Sequence, residues 1–412
     1  MRLASHTELF SLGSIPAIAN YKTGGLIGLT LEGLELCRAM QERGIAPSQI
    51  PASCEELIGH LEKGLYLDGE QSQSYAAEVT VKRRAYLHVT QRCNLSCRFC
   101  YSKSALRNRL TDPALSDLKK AIALLANWGA SRLVISGGEP FLRDDLPKIA
   151  LYAKRDGIGE VALISNGSLI ARETLAPLAS AVDVIAISFD GWSPTSPAWL
   201  RGEQRFKLLE HKVRLVSDAG IKPHIIVTLH HKNVGDIPAY RALATNLGAS
   251  LSFSMLLARG SHADNFTLTN KELETLGEDE AKHGGFPSVS CRKSCSAGTT
   301  SLSIEADGTV YSCHMLHQPE FAIGNAFEDS LRDIQSSSIT RRLSNLDSRA
   351  FDSCQTCRHR PICGGGCRAR AFYSRGSLEA KDPYCALSNA YYSEFADLIS
   401  NRYSRMGERD AI

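Results

Sequence analysis

Short apolar runs alternate along most of the chain with stretches whose hydrophobic residues recur at helical spacing, and this alternation points to a fold class. Strand-like runs fall at residues 85–89 (AYLHV), 132–136 (RLVIS), 160–164, 182–189, 224–229 and 251–255. Helical patterns cover residues 116–128, 146–155, 173–180, 206–219 and 237–247. Six βα units in succession predict an α/β fold with a parallel sheet, whose functional groups sit beyond the C-terminal ends of the strands, as in complete and partial barrels.

The flanks read differently. Residues 31–43 (LEGLELCRAMQER) and 53–63 carry helical spacing, with Ser53 and Glu56 placed as a capping box, and residues 25–31 (GLIGLTL) form a short strand pattern. A small α+β, winged-helix-like domain is therefore expected over residues 1–80, followed by a polar linker at 68–74 and a barrel domain at 84–284. From 285 to 412 the pattern breaks into Cys, Ser, Gly and Arg, with strand-like pieces at 300–304 and 310–312 and a closing helix at 386–403. That segment has too little apolar sequence for a large core, so metal clusters would be its staples.

Composition narrows the function classes. A chain of 412 residues with 43% hydrophobic and 22% charged residues is a globular protein of two or three domains. No stretch approaches the roughly 18 apolar residues of a membrane span, and a net charge of +3 gives no electrostatic case for a nucleic-acid partner. The first residues lack the apolar core and cleavage site of a secretory signal, so a cytoplasmic location is expected. In a reducing compartment, the thirteen cysteines, clustered as they are, read as metal ligands or redox groups rather than disulfides.

Cys93, Cys97 and Cys100 stand in a CxxxCxxC loop directly after the first barrel strand (RCNLSCRFCY). Closed structural zinc wants four ligands, whereas three thiolates on an iron-sulfur cube leave one iron open. Gly137-Gly138-Glu139-Pro140 follows the second strand, where glycines admit a ligand to the backbone and a carboxylate can accept from an ammonium group. Eight more thiols, Cys291, Cys295, Cys313, Cys354, Cys357, Cys363, Cys367 and Cys385, suffice for two closed four-ligand clusters, although cysteine-only spacing also permits zinc and does not reveal how the ligands interleave.

With these motifs in this order, residues 84–385 resemble the radical S-adenosylmethionine (SAM) superfamily carrying a C-terminal SPASM extension, and in particular its maturases of ribosomally made peptides. The resemblance implies a partial (β/α)6 barrel, a 4Fe-4S cluster on Cys93, Cys97 and Cys100, and two auxiliary 4Fe-4S clusters, one on Cys291, Cys295, Cys313 and Cys367, the other on Cys354, Cys357, Cys363 and Cys385. It further implies SAM contacts from Phe99 and Tyr101 near the adenine, from Gly137, Gly138, Glu139 and Pro140 at the amino group, from Ser165, Asn166, Ser188 and Asp190, and from Arg201 at the carboxylate. His314 follows Cys313 where the sulfatase-maturing branch carries an aspartate base, which makes it a candidate proton acceptor and a departure from that pattern.

The activity so implied is hydrogen abstraction from a peptide and closure of a carbon-carbon or thioether crosslink, with a flavodoxin or ferredoxin as electron donor. The extra N-terminal domain is expected to grip a leader segment of the precursor peptide. The alternatives are a sulfatase-type maturase, a tetrapyrrole- or quinone-cofactor biosynthesis enzyme, or a non-catalytic iron-sulfur carrier or zinc-stabilised binding protein. Cys37 and Cys54 are expected to be buried small hydrophobes, and His224, His230 and His231 structural or surface groups.

Overall fold

The computed structural model describes residues 1–69, 82–102, 104–201, 205–257, 264–283 and 289–407. Most of the expected linker at 68–74 lies outside the described residues. The chain forms two compact units: Met1–Val81 with Thr269–Cys295 and Leu346–Ile412, and Lys82–Leu268 with Ser296–Asn345. Three consecutive domains at 1–80, 84–284 and 285–412 do not coincide with these units, because the N-terminal segment shares a unit with most of the cysteine-rich C-terminal one.

The barrel unit is built on six parallel strands, β4 (Arg83–His88), β5 (Ala130–Ser136), β6 (Glu160–Ser165), β7 (Val184–Phe189), β8 (Lys222–Leu229) and β9 (Ser250–Met255), hydrogen-bonded in sequence order. The βα alternation of the sequence is thus realised as expected. Three strands from the distal segment extend the sheet beyond β4: β10 (Ser301–Ile304) pairs parallel to β4, and β11 (Thr309–Tyr311) and β12 (Ala322–Asn325) follow antiparallel.

The two faces of the sheet differ in chemistry. On one, Leu87, Leu133, Ile135, Val161, Leu163, Ile185, Ile187, Ile225 and Val227 are fully buried, the continuous apolar surface that flanking helices require. The other, inner face carries Arg84, Tyr86 and His88 on β4, in register with Arg132, Val134 and Ser136 on β5. Parallel sheets covered on both sides are normally apolar on both, so a row of Arg, Tyr, His and Ser marks a surface kept for ligands.

The other unit begins with an antiparallel sheet, β1 (Thr7–Leu12), β2 (Ile15–Asn20) and β3 (Leu26–Gly28), followed by helices Leu31–Glu42 and Glu55–Lys63. Thr30 caps the first helix by accepting from Gly33 N at 3.0 Å, and Ser53 lies outside the second, donating to Glu32 instead. The sheet serves two cores: Ile18 packs with Leu36, Cys37, Met40, Cys54 and Leu61, whereas Leu12 and Ala19 pack with Cys291, Ile362, Tyr391, Tyr392 and Ala396.

Tyr21 donates to Glu8 at 2.6 Å, and Glu8 pairs with Arg360, which ties the hairpin to the C-terminal segment. A helix absent from the sequence expectation, Asn270–His283, packs along the C-terminal helix Cys385–Gly407. Gly277 permits the approach, since a Cβ there would lie 2.4 Å from Leu387 O.

Candidate functional site

All thirteen cysteines are unbridged, and Cys37 and Cys54 are buried in the N-terminal core as expected. The loop after β4 holds Cys93, Cys97 and Cys100, each partly buried. Its backbone is fixed from outside: Cys93 N donates to Asn108 Oδ1 at 2.7 Å, and Arg98 N donates to Leu200 O at 2.7 Å. Phe99 adopts φ 57°, a left-handed conformation unfavourable for an aromatic residue and of the kind concentrated at functional sites. Its ring meets Phe266 edge-on, and the Arg98 guanidinium lies over both rings, so packing holds the turn. Burial pushes the Cys93 and Cys97 thiols up, with Arg201 opposing the shift at Cys97. Such thiols give up their protons when they bind a metal.

Beyond β5, Gly137 and Gly138 approach the β4 end so closely that added Cβ atoms would lie 2.3 Å from Thr90 O and 1.9 Å from Arg92 O. No other residue fits this cradle without moving the loop. Glu139 beside it is 0% exposed. Its Oε1 accepts from Ser165 Oγ at 2.8 Å and Phe141 N at 3.2 Å, and its Oε2 accepts from Asn166 N at 2.8 Å. Burial pushes the carboxyl up against these hydrogen bonds and the more distant Arg201, and Glu139 has no ion pair among the described residues. A buried carboxylate lacking a counter-ion fits an incoming ammonium.

Asp190, which follows β7, spends its carboxylate on the backbone N–H groups of Trp199 at 3.1 Å, Leu200 at 2.6 Å and Arg201 at 2.8 Å. It therefore shapes the turn carrying Arg201, whose charge is felt by both Cys97 and Glu139. Ser188 lies on β7 in register with Ile226. Tyr101 turns its hydroxyl to Ser136 at 3.1 Å. Cys93, Cys97, Cys100, Glu139, Ser165, Asn166 and Arg201 are thus gathered beyond the C-terminal ends of β4 to β7, and the donor set and glycine cradle fit an iron-sulfur cluster with an amino-acid-like cofactor.

In the other unit, Cys363 and Cys385 each feel the charge of Cys357, Cys363 also feels Cys385, and Cys385 feels Cys354. These four are the set that the family resemblance implies for one auxiliary cluster. Of the second group, Cys291, Cys295 and Cys367 lie in this unit and Cys313 follows β11 in the barrel unit. Burial raises the Cys291 thiol to about 12. Sequence reasoning missed the frame around them. Asp382 accepts from Cys367 N at 2.7 Å, Tyr384 N at 3.0 Å and the Arg370 guanidinium at 2.7 Å, and Arg368, 1% exposed, donates to the carbonyls of Gly365, Leu378 and Ala380. Gly364, Gly365 and Gly366 all have positive φ, a run that only glycine adopts without strain.

His314 stacks on Tyr86 with ring centroids 4.1 Å apart, and its Nδ1 is buried without a hydrogen-bond partner among the described residues. Burial first, then the neighbouring His317, His88 and Arg84, lowers its pKa to about 3. His230 and His359 are likewise lowered to about 4, chiefly by burial. His224 bridges Ser250 and Ser252 through its two ring nitrogens, and His230 Nδ1 accepts from Lys232 N at 3.1 Å.

For each of the three depressed imidazoles the unfolded chain takes up a proton first as pH falls below about 6.5. Stability is therefore complete above that value and is lost toward about pH 4, at up to on the order of 1 kcal/mol per pH unit for each group. The urea midpoint of the apoprotein is expected to fall clearly between about pH 7.5 and 5, and an unchanged midpoint would contradict this.

Comparison with known proteins gives two family matches, the radical SAM superfamily over residues 87–244 and the SPASM iron-sulfur cluster-binding domain over residues 295–358. The chain is 29% identical over 321 residues to mycofactocin maturase MftC of Mycolicibacterium smegmatis, covering 72% of this chain and 81% of that one. It is 26% identical to PqqA peptide cyclase of Rhizobium meliloti (73% and 86% covered) and 25% identical to Fe-coproporphyrin III synthase of Methanosarcina barkeri (73% and 87%).

Among solved structures, anSMEcpe with bound AdoMet aligns at TM-score 0.63 and 17% identity over 78% of this chain and 99% of that one. Streptococcus suis SuiB bound to precursor peptide SuiA aligns at 0.55 and 16% over 93% and 99%, and at these identities both likenesses speak for the fold. No helix among the described residues is long and apolar enough to cross a membrane. The two matched domains imply SAM and iron-sulfur clusters as cofactors, and with a cysteine loop and glycine cradle placed at the ends of β4 and β5, the chain carries a radical SAM domain and a SPASM domain.

Proposed function

We propose that this chain is a peptide maturase that abstracts hydrogen from a residue of a ribosomally made precursor and closes a carbon-carbon or thioether crosslink. The observation that carries the reading is the presence, in one chain, of the cofactor cradle and eight further thiols in SPASM order. Crosslinking removes two hydrogens net, so a second electron must leave the substrate, and abstraction alone would need no additional redox centre. The kinship with mycofactocin maturase and PqqA peptide cyclase supports a peptide as substrate.

When bound, SAM and the clusters supply the 5'-deoxyadenosyl radical and an electron sink. The chain's own residues hold and shield them. Cys93, Cys97 and Cys100 ligate the first of three 4Fe-4S clusters. Glu139, framed by Gly137, Gly138 and Pro140, receives the cofactor ammonium, Arg201 meets its carboxylate, and Ser165, Asn166, Ser188, Phe99 and Tyr101 line the remainder. Asp190 orients Arg201 through the backbone bonds it accepts. Cys291, Cys295, Cys313 and Cys367 hold one auxiliary cluster, and Cys354, Cys357, Cys363 and Cys385 the other. A leader segment adds to an edge of the β1–β3 sheet, and a flavodoxin or ferredoxin delivers the electron.

Co-expression with any short peptide encoded beside its gene tests the substrate. The expected product is a peptide lighter by two hydrogens, or a multiple, with the loss confined to its core. The likeness to Fe-coproporphyrin III synthase favours a second reading, a tetrapyrrole substrate. An unmodified peptide together with conversion of a porphyrin by the purified enzyme would establish it.

A further inference from the structure

The barrel unit contains a buried polar cluster that the cofactor cradle does not use. His88, the last residue of β4, is 0% exposed, and its Nδ1 lies 3.1 Å from Glu305 Oε2. The same oxygen is 3.1 Å from His317 Nδ1, and the other carboxylate oxygen accepts from Gln91 Nε2 at 2.6 Å and Ala306 N at 2.9 Å. Burial pushes Glu305 up, but the Nδ1 hydrogen bonds it accepts from His88 and His317 favour its ionised form and lower it.

An ionised carboxylate only accepts, so both Nδ1 atoms carry hydrogen. In a neutral imidazole that leaves Nε2 as a lone pair. His317 commits its Nε2 to Ser303 Oγ at 2.8 Å, and its ring stacks on Tyr311. His88 Nε2 is buried with no hydrogen-bond partner among the described residues. Buried polar atoms are rarely left this way, and the exceptions call for a ligand or a task.

The position of this lone pair suggests the task. His88 is in register with Ser136, the residue before the Gly137–Gly138 cradle, and its Cα would be 3.4 Å from a Cβ on Gly137. Its ring also meets Tyr101 edge-on, one residue past Cys100. An oriented, unoccupied acceptor therefore sits on the inner face, beside the place where hydrogen is to be abstracted.

We propose that His88 Nε2 is the base that takes a proton from the substrate, with Glu305 as the positioning residue that fixes its tautomer. The inference rests on the peptide-maturase reading and deepens it. One substrate C–H bond breaks homolytically, its hydrogen atom going to the deoxyadenosyl carbon. As the crosslink closes, a second hydrogen leaves as a proton to His88 Nε2, and one electron passes to an oxidised iron-sulfur cluster. Two hydrogens and two electrons are thereby removed, which balances the crosslink. The carboxylate–imidazole pair resembles the orienting arrangement of hydrolytic triads, in which the acid stays ionised and the imidazole does the proton transfer.

Two measurements test it. In apoprotein labelled with 15N-histidine, His88 should show a protonated Nδ1 and a bare Nε2 near neutral pH. The opposite tautomer overturns the proposal without any turnover being measured. In the reconstituted enzyme, His88→Asn keeps a donor toward Glu305 and removes the basic Nε2 nitrogen.

The expected result is 5'-deoxyadenosine formation within about twofold of wild type, product formation reduced about 100-fold or more, and a substrate-centred radical visible by electron paramagnetic resonance. Glu305→Gln should fall between the two. Product within about threefold of wild type in His88→Asn overturns the assignment, as does parallel loss of iron and cofactor cleavage in both variants, or a further metal ion lost with either side chain. If wild type converts no peptide, the substrate reading fails and the role of His88 as base toward a peptide falls with it, whereas the opposite tautomer overturns His88 alone.

Discussion

Changing Cys93, Cys97 and Cys100 together to Ala should remove about four of about twelve irons and abolish reductive cleavage of SAM. The three thiols sit on one loop whose backbone is held by Asn108 and Leu200 rather than by the sulfurs, so the polypeptide should keep its fold. The auxiliary thiols lie on separate segments and should keep their metal, leaving about eight irons, a loss confined to one cluster rather than spread over all three. Elemental analysis and anaerobic assay of 5'-deoxyadenosine measure the two effects. Zinc in place of iron in the wild-type protein, or cleavage surviving the triple change, would sink the assignment of this loop.

Removing residues 1–71 should cost far more than recognition of a leader. The excised hairpin carries Leu12 and Ala19, which are buried against Cys291, Ile362, Tyr391 and Tyr392, and Cys291 N donates to Gly24 O at 2.9 Å. Each large apolar side chain torn from such a core is worth about 2 kcal/mol, and several are lost at once against a total stability of roughly 5–15 kcal/mol. The shortened chain is therefore expected to lose auxiliary iron and to precipitate or unfold. Full iron with intact cofactor cleavage would show that the hairpin is dispensable for folding. Leader binding is consequently better examined by single substitutions on the exposed edge of the sheet than by deletion.

Local patterns announced the barrel, and distance in sequence hid the rest. Most of the six strands were legible because they bury apolar residues, many of them β-branched, on one face and alternate with amphipathic helices. The cysteine loop and glycine cradle were legible because their chemistry is packed into ten residues or fewer. The β1–β2 hairpin left little trace, since its strands face two different cores and do not alternate simply. Helix Asn270–His283 is mostly polar, and its burial depends on a partner more than a hundred residues away. The His88–Glu305 pair spans 217 positions, a contact that only the parallel pairing of β10 with β4 creates.

The division of each unit into separated segments has a consequence for how the protein is made. Residues 1–81 leave the ribosome long before the helix Cys385–Gly407 that completes their core, and at ~10 residues per second the apolar side of the hairpin waits roughly half a minute for its partner. The barrel waits too, since β10 to β12 are drawn from beyond residue 295. The barrel strands are complete by Asn325, whereas the hairpin's unit cannot close before the C-terminal helix is made, so holdase chaperones and cluster-delivery proteins meet a chain whose auxiliary thiols are the last to be enclosed.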